Sequence, residues 1–183
     1  SAAELPPPLG KSAGEAMPFR LERTNSAQNE TLRRLQIQRL PPRGDAIVIS
    51  IGRAVNGVVL RAREGDNMVV ERAALGLNER VPVPERPGIT VAGSVSDLNL
   101  DYWRFLLGGR EDASAMPATV SLRVGTLDVA GKRFNDLALR ANRAGAVWSA
   151  AVSAQEMAGD IIWRPEGRGR IVARLRHFTV PGP

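Results

Sequence analysis

The chain has 183 residues, 43% of them hydrophobic but only 4% aromatic, which is enough for one β unit with an aliphatic core and argues against an aromatic-rich pocket. Its charge of +6 is carried by 23 Arg against 2 Lys, set mostly singly between Arg20 and Arg176, without the block of like charges that marks a nucleic-acid tail. Cysteine is absent, which excludes disulfides, thiolate metal sites and cysteine nucleophiles, and no stretch approaches the roughly 18 consecutive apolar residues of a membrane-spanning helix.

Eighteen Gly and 13 Pro interrupt the chain too often for long helices. The opening run from Glu4 to Lys11 holds three consecutive prolines, reads as extended, and suits a piece cut from within a longer protein. Phe19 to Arg23 and Leu35 to Gln38 alternate apolar and polar residues at period two, which predicts a first hairpin. After Pro41, Pro42 and Gly44, the β-branched run 46–51 predicts a strand, a turn at Asn56-Gly57, and a second strand over 58–63. A turn over 64–67 leads into a strand at 68–72, and 89–95 follows a loop stiffened by Pro82, Pro84 and Pro87.

The one predicted helix covers 100–107, where Trp103, Leu106 and Leu107 recur at helical spacing between Asn99 and Gly108-Gly109. Strands are expected over 119–124, 126–130, 134–141, 146–154, 158–163 and 168–178. Links of two to six residues favour antiparallel neighbours, since a parallel return needs a dozen or more. The fold expected is mainly β: a long, antiparallel, up-and-down, strongly twisted sheet, a half-open groove or sandwich-like, with one short helix. It forms one module over 1–183, with 1–45 as Pro-rich entry and first hairpin and 46–183 as the main sheet.

Within strands the two faces differ. Ile171, Ala173 and Leu175 alternate with Arg170, Arg174 and Arg176, and Val58, Leu60 and Ala62 with Arg61 and Arg63. A single two-turn helix is too small to cover such a face. The sheet therefore folds onto itself with a filled core, meets another part of the protein, or holds an apolar ligand, and alternation does not separate these outcomes.

Catalytic motifs are not evident. The single His177 ends the last strand beside Phe178, Glu111 and Asp112 sit in a loop, and neither GxGxxG nor GxxxxGK[ST] occurs. Gly167-Arg168-Gly169 reads as a turn, and Trp103, Trp148 and Trp163 read as packing residues rather than a stacking platform for nucleic acid. No enzyme, cofactor, metal site or nucleic-acid partner is expected.

The run from Glu4 to Lys11, Pro87 to Val95 leading through Leu98 and Leu100 to Trp103, Leu127 to Val129 with Phe134 to Leu139, Trp148 to Val152, and Ala158 to Trp163 together resemble the YhdP-type, AsmA-like family of inner-membrane-anchored periplasmic proteins of Gram-negative bacteria. The resemblance implies a C-terminal-region fragment of a gutter-like β structure through which phospholipid moves between inner and outer membranes, with a part in the outer-membrane permeability barrier. The implied partners are phospholipid, the rest of the longer chain and envelope proteins. Inward-facing candidates on that reading are Ile47, Ile49, Ile51, Val58, Leu60, Val91, Leu122, Val124, Leu137, Leu139, Trp148, Val152, Ile161, Trp163, Ile171 and Leu175, taken to share one orientation. The rival expectation is a structural or protein-binding β-domain with a closed, filled core.

Overall fold

The computed structural model describes residues 17–101, 116–164 and 169–179. Its elements are β1 (Phe19–Thr24), α1 (Glu30–Arg34), β2 (Asp45–Ile51), β3 (Val55–Glu64), β4 (Asn67–Leu77), β5 (Gly88–Asn99), β6 (Ala118–Val129), β7 (Lys132–Ala144), β8 (Val147–Ser153), β9 (Met157–Arg164) and β10 (Arg170–Phe178). The strands form one ten-stranded sheet in strictly sequential order, with β1 and β10 at its two ends, so the sheet is not closed. The mainly β, up-and-down architecture read from the short links is the one observed.

Turn chemistry explains the hairpins. Ala130 and Gly131 both take positive φ between Val129 and Lys132, the pairing of a two-residue turn whose twist matches the strands it joins. Between β2 and β3 the reversal lies at Gly52, with φ +53 and Ala54 N–H donating to Ile51 O at 3.1 Å, and not at Asn56-Gly57. Gly57 instead sits inside β3, opposite Ile49 on β2 and Leu75 on β4. The two strands expected over 119–130 are one, because β6 runs unbroken through Gly125.

The first predicted hairpin is corrected. β1 pairs with β2, Phe19 against Ile51 and Thr24 against Ala46, and the residues between form α1 and a connector. Asn29 caps α1 by accepting from the N–H groups of Thr31 and Leu32, Glu30 stands in the first turn, and Arg33 and Arg34 in the last. The helix stops where Gln36 turns left-handed (φ +59), with Ile37 N–H donating to Leu32 O and Gln36 N–H to Arg33 O. Leu35 and Ile37 alternate with polar residues because they straddle this stop, not because they pair in a sheet. The helix expected over 100–107 lies, beyond Asp101, outside the described residues.

Two compact units are distinguished: Met17–Ala92, and a second that includes Gly93–Thr179 among its described residues. In the first, α1 and its connector lie over one face of β2–β4. Leu32, Ile37, Ala46, Val48, Val58 and Leu60 form the core, with Leu35, Leu40 and Val83 packed against it. Glu22 ties β1 to the helix by accepting from Asn29 Nδ2 (2.8 Å), Thr31 Oγ1 (2.9 Å) and Arg20. In the second unit, the described strands β6–β10 all belong to the sheet itself, and no described element is left over to make a second layer.

Candidate functional site

Residues directly opposite in an antiparallel pair project to the same side, so register assigns each side chain to a face. In the unit of β6–β10, Val124 faces Leu137, Leu122 faces Leu139, and Leu139 faces Val152. Trp148 faces Trp163, Ala150 faces Ile161, Trp163 faces Ile171, and Gly159 faces both Val152 and Leu175. All ten candidates of this unit, Leu122, Val124, Leu137, Leu139, Trp148, Val152, Ile161, Trp163, Ile171 and Leu175, therefore share one face. Val120, Ala141, Ala150 and Ala173 extend it.

The opposite face carries Arg123, Arg140, Arg164, Arg170 and Arg174 with Ser121, Asn142, Ser149, Ser153 and Asp160, all exposed. Burial on the apolar face is graded. Val124 is 2% exposed, and Leu137 and Val152 are buried, whereas Ile171 is 69% exposed, and Trp163, Leu175 and Phe178 are exposed with it. Apolar surface thus remains exposed towards β10.

In the unit of β1–β4 the candidates divide. Ile47, Ile49 and Ile51 stand opposite Val59, Gly57 and Val55 on β3, and opposite Arg23, Leu21 and Phe19 on β1. Val58 and Leu60 pair instead with Val48 and Ala46 on the other face, beneath α1, where Leu60 is wholly buried. The expected common orientation fails for these two. With the turn at Gly52 rather than Asn56-Gly57, β3 begins at Val55 and its odd-numbered residues continue the isoleucine face. Val91 lies on β5, half-buried, four residues before the buried Val95.

The isoleucine face is the open one. Phe19 is 64% exposed, Leu21 and Leu75 are exposed, and Ile47, Ile49, Ile51 and Val59 are half-buried. Phe19, Leu21, Val59 and Leu75 were not among the sequence candidates, although the alternation of Phe19 to Arg23 was visible and carried the signal.

This face ends in charge. Asp45, 3% exposed, accepts from Arg61 Nε (2.9 Å) and Nη2 (2.7 Å) and from Arg23 Nε. The paired hydrogen bonds from Arg61 first, then the one from Arg23, hold the Asp45 carboxyl below its usual range against the opposing cost of burial. Gly44 lets the connector press onto the Arg61 backbone, since a side chain there would collide with Arg61 O and Pro41 O.

His177 is exposed, with Nε2 3.3 Å from Gln155 O, and no group of three or more His, Cys, Asp or Glu side chains is placed to hold a metal among the described residues. Glu156 accepts from Asn135 N–H (2.8 Å) and Nδ2 (2.6 Å), which lowers its pKa and pins the β8–β9 connection to β7; its role is structural.

A family model described as "YhdP protein" matches residues 1–183, the whole chain. No curated protein and no solved structure matches it. The chain belongs to the YhdP family.

Proposed function

We propose that this member of the YhdP family is a non-catalytic module of an AsmA-like envelope protein, the periplasmic part of an inner-membrane-anchored chain, that binds acyl chains on the apolar faces of its sheet. Its role on this reading is phospholipid transport between the inner and outer membranes and upkeep of the outer-membrane permeability barrier. Family membership supports the envelope setting. The observation that carries the ligand is the face of β6–β10, where ten large apolar residues align with no described second layer while the reverse face is cationic and wet.

Energetics favour such a ligand. Each methylene taken from water contributes about 0.8 kcal/mol, and a run of aliphatic side chains offers no fixed polar partner that would halt a sliding chain. The graded exposure puts the least covered apolar surface of this face at β9 and β10, the last two strands of the described sheet.

A second reading, a structural β-module with a filled core, draws on the packed cluster beneath α1 and on the deep burial of Val124. Native mass spectrometry with lipid extraction of the chain purified from a bacterial periplasm decides between them. Co-purifying phospholipid that is lost in Leu139→Asp or Ile171→Asp, with the β circular-dichroism spectrum intact, supports lipid binding. A folded, consistently lipid-free chain supports the structural module.

A further inference from the structure

The open face of β1–β4 is asymmetric along its strands. At one end lie Phe19, Ile51, Val55 and Leu77; six residues along β2, about 20 Å away at the usual rise, lies the Arg23–Asp45–Arg61 cluster. Arg63 continues the same face beyond Arg61, opposite Met68, and is exposed. Two guanidinium groups thus meet one buried carboxylate at the end of an apolar strip, and a third stands two residues further along the same face of β3. The nearby Glu71, in the β4 bulge, is already engaged by Arg72 at 3.3 Å.

Asp45 does not exhaust its partners. A guanidinium has five N–H donors; Arg61 spends two on Asp45 and Arg23 spends one. The carboxylate fixes both groups in place while the rest of their donors remain for an incoming acceptor, and positioned arginines suit phosphate in particular.

We propose that this cluster is a headgroup site, and that the ligand of the β1–β4 face is an anionic phospholipid whose phosphate meets Arg23, Arg61 and Arg63 while an acyl chain lies along Ile47, Ile49 and Ile51. This rests on the lipid-binding reading above and adds to it a charge preference, a polarity of binding and a set of residues. A zwitterionic lipid brings a cation towards the same arginines and gains less.

The test offers the chain equal amounts of phosphatidylglycerol and phosphatidylethanolamine with identical acyl chains and counts bound lipid by native mass spectrometry. The expected result is an excess of phosphatidylglycerol of about tenfold, the scale of one charge-assisted hydrogen bond, which shrinks in high salt. The excess disappears in the double variant Arg23→Gln, Arg63→Gln, which leaves Arg61 to hold Asp45, and diminishes in Arg63→Gln alone, a change at an exposed position. Ile49→Asp also removes the excess, because the site needs both its strip and its cations.

Equal binding of the two lipids overturns the headgroup site and leaves the acyl-chain reading standing. So does an excess that survives the double arginine variant. Persistence of the excess in Ile49→Asp overturns it too, since charge alone would then suffice. A folded chain that takes up neither lipid overturns both readings.

Discussion

Trp148 on β8 and Trp163 on β9 stand directly opposite each other on the apolar face, and the Arg143 guanidinium lies over the Trp148 ring, 5.4 Å from its centroid. Trp148 is half-buried and Trp163 exposed, so one pair samples both the covered and the open part of this face. Arg143 also donates to Met116 O at 2.9 and 2.7 Å, which fixes the cation above the ring.

That pair is a built-in reporter. Phospholipid with brominated acyl chains is expected to quench tryptophan emission on binding, and Trp163→Phe to remove much of the quenching while the fold persists. Quenching unchanged in Trp163→Phe would place the chains elsewhere.

The two faces of the β1–β4 unit should respond differently to truncation. Leu60→Ala, at a wholly buried site under α1, is expected to cost about 2–5 kcal/mol in denaturant unfolding. Leu21→Ala and Leu75→Ala, on the exposed face, should cost less than about 1 kcal/mol. Equal losses would mean that both faces are packed.

Asp45 gives the unit an acid limit. Its folded pKa is lowered from 3.8, chiefly by hydrogen bonds from Arg61, so its contribution to stability is fully present above the unfolded value and is lost as pH falls below about 3.8 through the lower folded value. Asp45→Asn should lose about 3 kcal/mol at neutral pH, because Arg61 keeps its charge without its partner. It should also flatten the acid part of the stability profile, measured by urea unfolding across pH.

The end of α1 is set by a non-glycine residue in left-handed backbone. Gln36→Gly is expected to raise stability by about 0.5–1 kcal/mol, because relief of the side-chain clash exceeds the entropy glycine loses. Asn29→Ala should lower it by about 1 kcal/mol by leaving the Thr31 and Leu32 N–H groups without their cap. Thermal unfolding followed by circular dichroism reads both.

Much of the architecture was legible because period-two alternation and short Gly-rich links are local signals. The face of β6–β10 could be assembled from parity within each strand, and its ten candidates meet on one side because the hairpin registers continue that parity. The β1–β4 unit was harder for definite reasons. Asn56-Gly57 is a strong turn signal that tertiary pairing overrides, and moving the turn to Gly52 placed Val58 and Leu60 under α1. The helix hid behind the alternation of Leu35 and Ile37, since its stop uses Gln36 where glycine is the usual mark. The Arg23–Asp45–Arg61 cluster joins residues from three strands, and only pairing brings them together.

The strictly sequential strand order bears on how such a sheet comes to exist. Every described pairing joins strands that are neighbours in the sequence, so each can form as soon as its second strand is available, and among the described pairings only β1 with β2, which has α1 between its strands, closes a long loop. A sheet assembled this way has no topological reason to stop at a given width: duplication of a hairpin adds two rungs without rewiring any other. Span thereby becomes an inheritable quantity, adjustable in steps of roughly 10 Å per hairpin.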